Sequence, residues 1–177
     1  SLVGSEMCIR DRGNPMKIIV LEHPRIASVD RFNDIANTPL WSCLMGGYAA
    51  ASLSAAGFDP DFVDAATKDS TFEGLQEKLE KTTIDLLCIN AVYFWEHTHR
   101  LFDFIEHMKD VNRAVHITLF GFFPSLVYRE ILDECDAVDS IAVGEFEHTL
   151  AALARGLTQG EALENVPGLA LKTNVDR

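Results

Sequence analysis

Short apolar runs alternate with amphipathic stretches along this chain, at the spacing of strand–helix–strand units rather than of hairpins. Lys17 to Leu21 is a β-branched run that stops at Glu22-His23-Pro24-Arg25, where proline ends any continuation as strand or helix. The polar stretch from Ile26 to Leu40 carries turn chemistry in Asn33, Asp34, Asn37 and Thr38-Pro39. It is longer than a usual strand-to-helix connection, which marks it as a functional loop. From Trp41 to Ala56, Leu44, Tyr48, Ala51 and Ala55 recur at helical spacing, and Gly57 is a natural C-terminal cap. Asp61 to Ala65 reads as a second strand and Thr71 to Lys81 as an amphipathic helix. Ile84 to Ile89 is a continuous apolar strand of the kind buried on both faces.

His97 to Val111 follows as a helix with Leu101, Phe104, Ile105 and Met108 on one face. Val115 to Phe120 is a fourth strand, closed by Gly121-Phe122-Phe123-Pro124-Ser125, and Ser125 is placed to cap a helix running to about Glu134. Val138 to Val143 is a fifth strand, followed by a last helix from Phe146 to Gly156. Val166 to Lys172 is an added terminal strand or a link. The pattern predicts an α/β fold, a flavodoxin/Rossmann-like three-layer sandwich on a five-stranded parallel sheet of order 2-1-3-4-5, with a short C-terminal extension. Residues 16–157 form the domain, 1–15 a non-native or disordered leader, and 158–177 a linker or terminal strand leading to a missing catalytic domain.

Composition narrows the partners. With 47% hydrophobic residues the chain can bury a real core, and no apolar run is long enough for a membrane span. A formal charge of -12 argues against nucleic acid, which takes its affinity from clustered Lys and Arg. Cys8, Cys43, Cys88 and Cys135 are too scattered for a zinc site or an iron–sulfur cluster, and they fit reduced thiols in a cytoplasmic protein.

In an open parallel sheet the ligand lies outside the carboxyl ends of the strands. Glu22-His23-Pro24-Arg25-Ile26-Ala27 has neither the glycines of a dinucleotide turn nor a P-loop lysine. Asn90 and Gly121 stand where a phospho-acceptor receiver domain needs aspartate and lysine. What the edge does carry is bulky and apolar: Ala91-Val92-Tyr93-Phe94-Trp95 after the third strand and Gly121-Phe122-Phe123-Pro124 after the fourth. Such residues suit a large flat ligand or a docked domain, or they simply cover the sheet ends. Gly144-Glu145-Phe146-Glu147 places backbone N–H groups and carboxylates at the same edge. Glu145 and Glu147 can serve as an acid and base pair, or Glu147 can complement the helix dipole. His23 is a weak candidate metal ligand, with a loop histidine as the alternative.

These residues resemble the N-terminal cobalamin-binding domains of B12-dependent radical S-adenosylmethionine enzymes. The resemblance rests on Thr38-Pro39-Leu40 with Gly47-Tyr48-Ala49-Ala50-Ala51-Ser52-Leu53 to Gly57-Phe58, on Gly121-Phe122-Phe123-Pro124, and on Gly144-Glu145-Phe146-Glu147 with Val166-Pro167-Gly168-Leu169. It runs from about Met16 to Lys172. The chain departs from the family pattern after the fourth strand, where Phe122 and Ser125 replace the usual second glycine and histidine.

The resemblance implies cobalamin bound at the sheet edge without a histidine ligand, since Leu21-Glu22-His23-Pro24-Arg25-Ile26 lacks the Asp-x-His-x-x-Gly of histidine-ligated domains. It implies that Asn90, Gly144 and Glu145 bond the corrin amides and the nucleotide tail. Val92, Tyr93, Phe122 and Phe123 would shield cobalt, beside Gly121, Pro124 and Glu147. The nucleotide tail would reach down between the sheet and the last helix. A [4Fe–4S] cluster, S-adenosylmethionine and, in many members, methyl transfer belong to a radical domain whose Cys-x-x-x-Cys-x-x-Cys is not in this sequence. Ser1 to Arg12 resembles a translated sequencing adapter, so a gene fragment is expected. The alternative is a non-catalytic α/β regulatory or protein-interaction module using the aromatic edge.

Overall fold

The apolar runs become the centre of the sheet. In the computed structural model, which describes residues 15–24, 42–66, 70–91 and 98–172, the strands β1 (Ile18–Glu22) and β3 (Leu86–Asn90) are buried along their whole length. β4 (His116–Phe120) and β5 (Ser140–Ala142) continue the sheet on one side and β2 (Asp61–Asp64) ends it on the other. Aspartates bracket the exposed Phe62 of β2, as suits a strand with one open edge. The order is β2-β1-β3-β4-β5-β6, with every pair parallel except the last. The five parallel strands stand in the expected order, and the terminal stretch is a sixth, antiparallel strand, β6 (Leu169–Leu171).

Alternation along each strand divides two cores. Ile19, Leu21, Leu87, Ile89, Ile117 and Leu119 face one layer, formed by the helices α2 (Phe72–Leu79), α3 (Thr98–Val111) and α5 (Tyr128–Glu134). Ile18, Val20, Leu86, Cys88 and Phe120 face the other, formed by α1 (Ser42–Ala55) and α6 (Phe146–Gln159). In α1 the stripe that signalled a helix points outward. Leu44 and Tyr48 are exposed, as are Ala51 and Ala55, while Ala49 and Leu53 carry the packing. The helix is apolar nearly all round, so its buried side is chosen by residue size. Small residues let it approach the sheet and α6 closely.

The helix expected from Ser125 to Glu134 is two pieces. α4 (Phe122–Leu126) ends at Val127, whose φ of −126° and ψ of 34° break the helical path before α5 begins. Ser125 lies inside α4 and does not cap α5.

At the amino end of β4 and β5, His116 Nε2 lies 2.8 Å from Ser140 Oγ, which donates in turn to Thr118 Oγ1 at 3.0 Å. With the hydroxyl proton so placed, the imidazole donates. Burial holds the His116 pKa below the ordinary histidine value, against the pull of Asp139 and with a smaller push from Lys109. A histidine so depressed is protonated more readily in the unfolded chain. Its contribution to stability is complete above about pH 6.5 and declines as pH falls toward the lower folded value. Denaturation midpoints measured between pH 7.5 and pH 5.5 should therefore fall with acidity, and His116→Gln should flatten that slope.

Candidate functional site

Strand order reverses between β1 and β3, and both strands end there on polar residues. Glu22 and Asn90 are register partners in otherwise apolar strands, only 3% and 1% exposed. Glu22 Oε1 accepts from the backbone N–H of Gly46 in α1 at 3.1 Å and from Asn90 Nδ2 at 2.7 Å. One buried carboxylate thus ties β1, β3 and α1 together, and its hydrogen bonds offset the desolvation that burial imposes. Because Nδ2 is directed at Glu22, Asn90 Oδ1 turns toward Gly121, where an added Cβ would lie 2.7 Å away. Gly121 has φ 119° and ψ −177°, a region essentially closed to other residues.

Ser125 joins the next two turns. Its hydroxyl donates to Gly121 O at 2.7 Å and accepts from the Gly144 N–H at 3.0 Å. Phe122 projects at the edge, 71% exposed, but Pro124 is buried and Phe123 packs against the core on the α2, α3 and α5 side. Phe123, expected to shield cobalt, and Pro124, expected beside it at the cofactor, thus face inward in this structure. Successive residues on a helical turn point about 100° apart, so the three side chains go to different surroundings.

Glu145 is exposed at the N-cap of α6 and makes no capping bond, while Glu147 sits in the first turn, where the dipole favours an acid. The Glu147 carbonyl accepts from Ser52 Oγ at 2.8 Å, linking α6 to α1. The two marked stretches of sequence meet directly. Thr149 Oγ1 donates to Pro167 O at 3.0 Å and the Val143 N–H to Gly168 O at 2.8 Å. Gly168 has φ 76°, and a Cβ there would stand 2.7 Å from Thr149 Oγ1. Val92 and Tyr93 lie outside the described residues.

The space between the sheet and α6, where a nucleotide tail was expected, is filled by packing. Phe120, Ala142, Phe146 and Leu150 close it, with the two aromatic rings 4.7 Å apart. Among the described residues a groove of about 640 Å³ runs along the flank of α6, lined by Ser52, Ala55 and Ala56 from the α1 side, by Glu145 at the N-cap of α6 and by His148 and Arg155 within it. Sequence reading passed over Glu22, His148 and Arg155. For Glu22 a signal existed, an acid closing a purely apolar strand; the other two look like ordinary surface positions on a helix.

His23 hydrogen-bonds through Nδ1 to Pro24 O at 2.8 Å, and its ring stacks on Phe72 of α2 at 6.0 Å. Among the described residues no three His, Cys, Asp or Glu side chains converge to hold a metal ion. No helix among them is long and apolar enough to cross a membrane.

Comparison with known proteins adds to this geometry. The model of the B12 binding domain matches residues 47–154. The anaerobic magnesium-protoporphyrin IX monomethyl ester cyclase of Rubrivivax gelatinosus is 29% identical over 127 residues, 69% of this chain and 21% of the relative. The enzyme of the same name from Cereibacter sphaeroides is 29% identical over 160 residues, 86% of this chain and 24% of the relative. The chain therefore spans between a fifth and a quarter of the length of these relatives. Among solved structures, the cobalamin-dependent S-adenosylmethionine radical enzyme OxsB with aqua-cobalamin bound superposes at a TM-score of 0.67 with 17% identity, over 88% of this chain and 21% of that one. Its form with S-adenosylmethionine also bound gives a TM-score of 0.66 at 16% identity, with the same coverage. That likeness establishes a shared α/β fold. With the family model matching more than half of the sequence on the expected parallel sheet, this chain belongs to the B12-binding domain family.

Proposed function

We propose that this domain binds cobalamin at the carboxyl edge of its sheet and serves as the cobalamin-binding part of a larger radical S-adenosylmethionine enzyme. The observation that carries the reading is the B12-binding match over residues 47–154, which takes in the Gly121 and Gly144 turns, the second part of α1 and the first part of α6. The residues fit such a ligand. Glu145, exposed at the Gly144 turn, offers an acceptor to corrin amides, Asn90 braces the edge through Glu22, Phe122 supplies apolar cover, and the small side chains of Ala55 and Ala56 leave room along α6. Bound cobalamin would supply a cobalt centre able to carry a methyl group or an electron. The [4Fe–4S] cluster, S-adenosylmethionine and any methyl transfer are assigned to residues outside this chain.

Hydroxocobalamin mixed with the purified protein should remain bound in one-to-one ratio through desalting, read by its visible spectrum. Loss of all corrin on the column counts against the reading. In that case the exposed apolar residues Leu44, Tyr48, Phe122 and Leu126 favour the second reading, a protein-docking module. Leu21-Glu22-His23-Pro24-Arg25-Ile26 lacks the aspartate and glycine that flank the histidine of histidine-ligated cobalamin domains, which favours binding without a histidine ligand. His23→Ala should therefore leave the spectrum of the bound corrin unchanged, whereas a shift in its visible bands would assign His23 to cobalt.

A further inference from the structure

We infer that the groove between α1 and α6 is an anion site, in which Arg155 takes the phosphodiester of the cobalamin nucleotide. The inference rests on the cobalamin reading above and assigns to one residue of α6 the choice between complete and truncated corrinoids.

The groove is apolar in its small-residue walls and polar at its ends. Glu145 opens it at the carboxyl edge of the sheet, beside Val143 and Gly168. Arg155 stands ten residues along the helix, about 15 Å away at 1.5 Å per residue, and His148 lies between them. The two ends therefore suit different chemistry. An exposed carboxylate accepts hydrogen bonds from the primary amides that fringe a corrin. A guanidinium presents a planar fork of N–H donors that matches phosphate oxygens.

Arg155 is available for that role. Among the described residues, ion pairs engage Lys17, Arg100, His107, Lys109 and Lys172 with nearby carboxylates. The Arg155 side chain, like those of Lys78, Lys81 and Arg113, makes no hydrogen bond or ion pair with any described residue, and among these it is the one that lines the groove. Ser52 and Thr149, the neighbouring hydroxyls, are turned to the backbone carbonyls of Glu147 and Pro167. The cationic charge in the groove is thus left to Arg155. Glu145 and Glu147 stand at the opposite end, where they disfavour a phosphate and help fix the direction in which the ligand lies.

Cobinamide, which keeps the corrin and its amides but lacks the nucleotide and its phosphodiester, tests this against hydroxocobalamin. The wild-type chain should bind hydroxocobalamin more tightly, and that preference should shrink as salt is raised. Arg155→Ala should weaken hydroxocobalamin roughly tenfold, the scale of one charge-assisted hydrogen bond, and leave cobinamide unchanged; Arg155→Lys should restore part of the difference. Circular dichroism should find the variants folded, since the side chain is on the surface. If wild type retains both corrinoids and Arg155→Ala weakens neither, or both equally, the anion site is overturned while the cobalamin reading stands. If wild type retains neither corrinoid, the cobalamin reading fails and the inference fails with it.

Discussion

Gly121→Ala should lower the unfolding free energy by about 2–4 kcal/mol and remove cobalamin retention at micromolar concentration. Two effects act together. The backbone at φ 119° and ψ −177° has no comfortable place for a Cβ, and the Cβ that alanine brings would stand 2.7 Å from Asn90 Oδ1. Asn90 cannot turn away without cost, because it is almost wholly buried and its Nδ2 is bonded to Glu22. Moving either group disturbs the carboxylate that also holds Gly46 of α1, so strain at one turn reaches three elements at the edge. Urea denaturation with and without hydroxocobalamin checks both halves. A loss below about 1 kcal/mol, with cobalamin still retained, would mean that the Asn90–Glu22 pair relaxes freely and is not a fixed part of the site.

Phe146→Ala should destabilise the apo domain by about 3–5 kcal/mol, the range for deleting a packed aromatic ring. Phe146 is 5% exposed, touches Phe120 across the space between sheet and last helix, and belongs to the same core as Val20, Cys88 and Leu150. The same variant decides where the nucleotide lies. With the tail in the groove beside Arg155, opening a cavity at Phe146 brings no gain in cobalamin affinity among the folded molecules. If the tail instead displaces Phe146 to enter beneath α6, the variant is already emptied at that place and should bind cobalamin more tightly than wild type while being less stable. Stability and affinity would then move in opposite directions.

Period and punctuation made most of the fold legible. Ile18 to Leu21 and Leu86 to Ile89 are apolar at every position, which only a strand covered on both faces requires, and the helical stretches between them force parallel crossovers. Asn90, Gly121 and Gly144 were legible as edge residues because they directly follow or close such strands. The sheet confirms their placement, since chain position alone puts them at the carboxyl end. The inner side of α1 was not legible. Its sequence is apolar nearly all round, so periodicity could not say that Ala49 and Leu53 would be buried while Leu44 and Tyr48 stayed outside. Nor could it separate Phe122 from Phe123, neighbours in sequence that a helical turn sends to different surroundings.

The sequence by itself determined the element order, the parallel sheet and the family likeness, because these depend on local periodicity and on short motifs read in line. Only the tertiary structure decided that Glu22 is a buried tie, that Val166-Pro167-Gly168-Leu169 closes onto Gly144-Glu145-Phe146-Glu147 and continues as an antiparallel strand, and that Arg155 faces a groove. Those facts join residues dozens of positions apart. Their partners are chosen by packing volume and hydrogen-bond geometry once the chain has closed, and neither is written into the spacing of residues along it.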